Sequence, residues 1–138
     1  MRLLLLGMAG LMLALPATAA ADEGKLEVTA KLVEIPSSFP PDDLYDYSYV
    51  MKYEVTEGKL KGQSLFVAHY KPTLKRKMIK DQMSKFVEGK LKRFKVGEVH
   101  KLTLDPDLQK IWQGAVIDDF FAQDRKSVRY WCLKADPA

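Results

Sequence analysis

The sequence predicts a small single-domain protein that is mainly β. The chain has 138 residues, of which 47% are hydrophobic and 29% are charged, and this composition is typical of one folded domain. Three segments in its first half have the alternating or continuous apolar pattern of β-strands. One long segment, residues 74–88, has helical spacing instead. Predicted strands therefore outnumber predicted helices.

The first 19 residues have the organisation of a secretory signal peptide. Arg2 precedes an uncharged stretch, residues 3–15, which ends at Pro16 and is followed by small residues up to Ala19. This stretch is shorter than the roughly 20 apolar residues of a transmembrane helix. No later segment is apolar for as long. The sequence therefore predicts a periplasmic or secreted protein without a transmembrane segment, whose single domain is residues 20–138.

Strands are predicted over residues 25–35, 47–56 and 64–70. In the first, Leu26 and Val28 alternate with polar neighbours, whereas the third is apolar on both faces and is expected to be central. A proline-rich loop separates the first two strands. Gly58 and Gly62 fit a hairpin connection between the second and the third.

An amphipathic helix is predicted over residues 74–88, with Gly89 at its C-terminal end. Strand character resumes over 91–96, bends at Gly97 and continues over 99–104. The pair Asp105-Pro106 is typical of a helix start, and the last strand is expected over 128–134. The residues that carry the two helical patterns are Leu74, Met78, Ile79, Met83, Phe86 and Val87, and then Leu108, Ile111, Trp112 and Ala115.

This order of three strands, a helix and two more strands matches the OB-fold. That fold is a five-stranded Greek-key barrel, and here the amphipathic helix falls between strands 3 and 4 and a short helix precedes the last strand. A mixed α+β sheet with a packed helix is the alternative.

Positive charge is concentrated in residues 71–95, which hold ten basic and two acidic residues. Such a separation of charge attracts polyanions. For an exported protein the expected partner is an anionic polysaccharide or an acidic envelope protein, and not nucleic acid. A solvated helix face is the alternative interpretation. The candidate ligand-binding residues are Lys75, Arg76, Lys77, Lys80, Lys92 and Arg93.

Motifs for catalysis and for cofactors are missing from the sequence. It has no nucleophile elbow, phosphate-binding loop or dinucleotide fingerprint, so we expect a non-catalytic protein without a cofactor. His69, His100 and Cys132 carry the alternatives, a small hydrolase or acyl-handling enzyme or a metal-binding protein. No short ligand spacing supports a metal site. Cys132 is the single cysteine and cannot form an internal disulfide.

Aromatic residues are concentrated on the predicted strands, where exposed rings can stack on sugars. Alternation points Tyr49 and Tyr53 inward. Trp131 is the ring that we expect at the surface, and it joins the candidate ligand-binding residues.

Four segments give the chain a family resemblance: residues 49–55 (YVMKYEV), 67–72 (VAHYKP), 94–100 (FKVGEVH) and 129–131 (RYW). Together they resemble a family of small exported bacterial proteins associated with gene clusters for SGNH-type polysaccharide O-acetyltransferases. The resemblance covers residues 28–135 and includes no motif diagnostic of an activity. It implies an accessory or binding protein of the cell envelope tied to polysaccharide acetylation.

Overall fold

Six strands and one single-turn helix form the fold of the computed structural model, which describes residues 24–138. The strands are β1 (Leu26–Glu34), β2 (Tyr47–Val55), β3 (Ser64–Tyr70), β4 (Val99–Asp105), β5 (Ala115–Ile117) and β6 (Arg129–Pro137), and helix α1 (Leu108–Ile111) lies between β4 and β5. The prediction of a mainly β protein is confirmed. The predicted signal peptide lies outside the described residues. Within residues 24–138, no helix has the length and apolar character needed to cross a bilayer.

The strands pair in one mixed sheet in the order β1-β4-β6-β3-β2-β5, and β1 also pairs with β2. The pairings of β1 with β2 and β4, of β2 with β3, and of β4 with β6 are antiparallel. Strands β3 and β6 are parallel, as are β2 and β5. Strand β5 follows α1 directly and hydrogen bonds to the beginning of β2.

Two apolar clusters cover the two faces of this sheet. The first contains the inward alternation of β1 and β2 that the sequence predicted, including Leu32 and Tyr53. The second contains side chains of the opposite face, such as Val50 and Trp131. Residues 71–95 pack against this second face through three buried side chains, Ile79, Met83 and Val87.

The prediction of an amphipathic helix over residues 74–88 was wrong. Two short 3₁₀ turns, Arg76–Met78 and Ser84–Phe86, stand in its place. The apolar residues do face the core, but the backbone forms bonds outside the segment: the amide of Arg76 donates to the carbonyl of Leu91, and that of Glu88 to the carbonyl of Leu133. These tertiary bonds outweigh helix propensity, which is a weak preference in a segment of this length.

Two smaller differences follow further along the chain. Residues 91–96, where the sequence predicted strand character, belong to no strand; the amide of Leu91 donates to the carbonyl of Ala135. Ala115, expected on the helix, begins β5 instead because α1 ends after one turn at Ile111. The carboxylate of Asp105 accepts the amide of Asp107 (2.9 Å) just before α1, close to the predicted helix start.

Candidate functional site

Residues 71–95, hereafter the cationic segment, carry exposed basic side chains. Ile79, Met83 and Val87 of this segment pack on the second face of the sheet, whereas Leu91 and Phe94 join the first apolar cluster. Of the six basic residues predicted to bind a ligand, five are exposed and one is buried. The exposed ones are Lys75, Lys77, Lys80, Lys92 and Arg93.

Most of this exposed charge has no internal counterion. Arg93 forms an ion pair with Glu98 (3.0 Å), and Lys71, at the start of the segment, lies 2.6 Å from Asp46. The four exposed lysines at positions 75, 77, 80 and 92 form no ion pair with any residue of the described range 24–138. The charge of the segment is therefore available to an external anion.

Arg76 was wrongly predicted to be a surface residue, because it was grouped with the other basic residues of the segment, such as Lys75 and Lys77. Its side chain is 3% exposed, and its guanidinium donates to the carbonyls of Lys71 (2.8 Å) and Leu74 (3.0 Å). The guanidinium also lies over the ring of Phe94. Burial lowers the pKa of Arg76 to about 10, so it stays charged at neutral pH. Arg76 therefore ties the beginning of the cationic segment to its end, because its partners Lys71, Leu74 and Phe94 all belong to that segment.

Trp131, predicted to be an exposed ring, is 0% exposed. Its indole N–H donates to the carbonyl of Phe86 (2.9 Å), and its ring lies beside those of Trp112 and Tyr70. Trp131 and its neighbour Cys132 belong to different apolar clusters, on opposite faces of β6. The face that Trp131 points to is covered by the cationic segment, so the ring belongs to the second apolar cluster.

The two histidines meet in the interior. The hydroxyl oxygen of Tyr53 lies 3.0 Å from Nε2 of His69 and 3.0 Å from Nδ1 of His100. Phe94 packs against both imidazole rings, and its ring centroid is 4.3 Å from that of His69. The three polar residues form one hydrogen-bonded cluster that is almost completely shielded from solvent.

The environment of this cluster favours uncharged side chains. Burial lowers the pKa of His69 well below its usual value, and the positive charge of Arg76 adds to the effect. Burial also lowers the pKa of His100. Cys132 is buried, its pKa is raised to about 12 by burial, and its thiol donates to the carbonyl of Lys134 (3.3 Å). Within residues 24–138 no group of three or more His, Cys, Asp or Glu side chains is arranged to hold a metal ion.

A groove that the sequence did not indicate opens beside α1 and β5. It has a volume of about 1060 Å³, and α1 and the beginning of β5 form one wall while residues 121–129 form the other. Its exposed apolar side chains are Val116, Phe121 and Val128. Polar side chains line the same groove. We call this site the aromatic groove, after Trp112 and Phe121, and define it by Asp107, Gln109, Trp112, Val116, Phe121, Arg125 and Val128.

Arg129 fixes one wall of the aromatic groove. Its guanidinium donates to a carboxylate oxygen of Asp118 (2.8 Å) and to the carbonyl of Ser127 (2.9 Å). It also packs on the rings of Phe66 and Phe121. The sequence signal for this arrangement was weak, because Asp118 and Phe121 lie in a segment that reads as a polar loop and Arg129 begins the next strand.

Comparisons of the chain with protein-family models, with curated proteins and with solved structures gave no match.

Proposed function

We propose that this protein is a non-catalytic binding or accessory module of the cell envelope that engages an anionic polysaccharide, or an acidic partner protein, through its cationic segment. The observation that carries the proposal is the set of four exposed lysines, at positions 75, 77, 80 and 92, that have no counterion within residues 24–138. Unpaired charge of one sign on one segment attracts a polyanion by long-range electrostatics. The resemblance to exported proteins associated with polysaccharide O-acetylation favours the polysaccharide over a protein.

The fold that we infer for this module is an OB-like barrel made of β1, β2, β3, β6 and β4. Support comes from the double pairing of β1, because a circuit in which each of the five strands pairs with two others leaves none of them as an edge. The parallel pairing of β3 with β6 is consistent with a Greek-key path. Nuclear Overhauser contacts between Leu32 and Tyr53 and between Ala30 and His100 test the closure. Absence of either contact would mean that the sheet is open and that the barrel is not closed.

Export is the second part of the proposal. Residues 1–19 are inferred to be removed as a signal peptide, so the exported protein begins at or near Ala20. Mass spectrometry of the protein recovered from the periplasm or the medium tests this inference. A protein that retains Met1 and stays in the cytoplasm would contradict it.

Binding to an acidic polysaccharide tests the ligand. Residues 20–138 are titrated with polygalacturonate at low and at near-physiological salt, and we expect affinity to fall as salt rises because screening weakens charge–charge attraction. Replacing five of the eight exposed basic residues of the cationic segment by glutamine should weaken binding strongly. These residues are Lys75, Lys77, Lys80, Lys92 and Arg93.

A control variant removes the same number of charges elsewhere. It replaces five exposed lysines outside the cationic segment by glutamine: Lys25, Lys31, Lys59, Lys61 and Lys101. If both variants lose affinity equally, net charge and not the cationic segment drives binding. If neither loses affinity, the proposed function is wrong.

A further inference from the structure

The aromatic groove presents an apolar surface that the fold leaves uncovered. The ring of Phe121 is 50% exposed, and Val116 and Val128 are exposed beside it. These side chains come from two walls that are separate in sequence. Exposed apolar surface gathered in a concave site is typical of a ligand pocket, and scattered exposed residues are not.

Two guanidinium groups lie near the ring of Phe121. The guanidinium of Arg129 lies 6.0 Å from the ring centroid, and that of Arg125 lies 5.3 Å from it. Arg129 is fixed in turn by Asp118 and by the carbonyl of Asp124. The ring therefore has little freedom to lose when a ligand stacks on it.

Trp112 fixes the opposite wall. Its indole N–H donates to the carbonyl of Ala115 (2.9 Å), and its ring packs so closely on Gly114 that a Cβ there would lie 2.3 Å from a ring carbon. The bond to Ala115 occupies one backbone acceptor of β5, a strand of three residues. This wall is consequently a poor template for the addition of a peptide strand, which needs a row of free backbone groups.

Free polar groups border the apolar floor. Arg125 forms no ion pair within residues 24–138, in contrast to Arg129, whose charge is neutralised by Asp118 and Asp124. The side chains of Asp107 and Gln109 also face the groove and make no hydrogen bond within the same range. The site thus combines an aromatic platform, hydrogen-bonding groups and one unpaired cation.

We propose that the aromatic groove binds a carboxylated sugar unit of a polysaccharide. The apolar C–H face of the sugar stacks on Phe121, its hydroxyls bond to Asp107 and Gln109, and its carboxylate pairs with Arg125. A guanidinium matches a carboxylate with two parallel hydrogen bonds, which makes this pairing specific. The inference rests on the proposed function and deepens it: the cationic segment attracts the polymer, and the groove selects the sugar.

Short oligosaccharides separate the two contributions. A tetramer of galacturonic acid and a neutral cellotetraose are titrated against residues 20–138 by calorimetry at near-physiological salt. We expect the acidic tetramer to bind more tightly. Phe121→Ala should weaken its binding by about tenfold, as expected for loss of one aromatic stacking contact. Arg125→Gln should remove the preference for the acidic over the neutral tetramer.

Two exposed residues outside the groove provide matched controls. Tyr45→Ala removes an exposed aromatic ring, and Lys126→Gln removes the charge next to Arg125 along the chain. Both should leave binding of the tetramer unchanged. Equal losses in the control and the groove variants would overturn the inference.

The outcome for the polymer identifies which proposal fails. If polygalacturonate binds through the cationic segment but the tetramer does not bind, or binds equally well to the groove variants, the groove inference is wrong and the proposed function stands. If neither ligand binds, the proposed function fails as well. Self-association in sedimentation experiments that disappears with Phe121→Ala would show that the groove contacts a second copy of the chain, which also overturns the inference.

Discussion

The hydroxyl oxygen of Tyr53 lies 3.0 Å from Nε2 of His69, and both side chains are buried in the protein interior. The same oxygen lies 3.0 Å from Nδ1 of His100. Because a hydroxyl has one proton, it donates to one imidazole and accepts an N–H from the other. Both bonds can form with the two histidines neutral, and the three side chains join β2, β3 and β4. The second ring nitrogen of each histidine, Nδ1 of His69 and Nε2 of His100, is buried without a hydrogen-bond partner within residues 24–138.

Removal of this hydroxyl should destabilise the protein. Tyr53→Phe keeps the ring but leaves two buried imidazole nitrogens without their partner, so we expect a loss of about 1–3 kcal/mol in the free energy of unfolding. Urea unfolding monitored by circular dichroism measures it. Tyr45→Phe is the control: that ring is 45% exposed and should change stability by less than about 0.5 kcal/mol. Equal effects of the two variants would mean that the cluster contributes nothing.

Stability should fall in mild acid. The pKa values of His69 and His100 are lowered by burial, whereas in the unfolded chain both return to about 6.5. Below that pH the unfolded state binds more protons, so the free energy of unfolding decreases as the pH falls. Between pH 7.5 and pH 5.5 we expect a loss of about 1.4 kcal/mol for each histidine that stays neutral when folded.

The variant His69→Gln assigns this effect. It removes one of the two titrating groups, so the difference in stability between pH 7.5 and pH 5.5 should be about half that of the original protein. Urea unfolding at the two pH values is sufficient, since each protein is compared with itself. If the original protein has the same free energy of unfolding at pH 7.5 and at pH 5.5, its histidines protonate as freely in the folded state as in the unfolded state.

Sequence patterns predicted the strands because a strand's pattern is local. The alternation of β1 and the apolar run of β3 needed no knowledge of the partner strands. The prediction for residues 74–88 was wrong because their apolar spacing fits both a helix and a segment with short 3₁₀ turns. Ile79, Met83 and Val87 recur every four residues and are all buried, yet the backbone is not helical: one 3₁₀ turn precedes Ile79 and a second lies between Met83 and Val87. The competing bonds to residues 91 and 133 are not visible in a local pattern.

The candidate sites show the same limit. Counting charges along the sequence located the cationic segment, because lysine side chains are exposed in almost any fold. It could not distinguish Arg76, whose burial depends on two backbone carbonyls and Phe94. Trp131 was misplaced because a local pattern does not show that Ile79, Met83 and Val87 pack on its face of β6. The aromatic groove joins α1 to residues 121–129, and only the pairing of β5 with β2 and of β6 with β3 brings them together.

Arg76 should affect stability and not binding. Arg76→Ala removes the donors to the carbonyls of Lys71 and Leu74 and leaves a cavity beside Phe94, so we expect a loss of about 2–4 kcal/mol in the free energy of unfolding. Polygalacturonate affinity, measured where the variant is folded, should stay within about twofold because the buried guanidinium cannot contact the ligand.

The exposed neighbour Lys77 gives the opposite expectation. Lys77→Ala should leave stability within about 0.5 kcal/mol of the original value and weaken polymer binding. An Arg76→Ala variant that keeps its stability but loses affinity for polygalacturonate would show that Arg76 belongs to the binding surface.

Gly89 holds the cationic segment on β6, and its replacement should release the segment. Its φ is +114°, and a Cβ at this position would lie 2.0 Å from the carbonyl oxygen of Ala135. Gly97 also has a positive φ, +98°, but no atom lies within 4 Å of its Cβ position. Gly97→Ala should therefore cost about 1–2 kcal/mol, the penalty of the left-handed conformation alone. Gly89→Ala should cost at least about 2 kcal/mol more, because backbone cannot move aside as a flexible side chain does.

Hydrogen exchange shows where that extra cost arises. The amide of Glu88 donates to the carbonyl of Leu133 (2.8 Å), and the amide of Ala135 donates to the carbonyl of Glu88 (3.0 Å). In Gly89→Ala both amides should exchange faster than in Gly97→Ala, while the amides that pair β1 with β4 keep their protection. Because detachment also moves the exposed lysines, polygalacturonate affinity should fall with Gly89→Ala alone. Equal stability and equal exchange in the two variants would mean that the cationic segment is not anchored at Gly89.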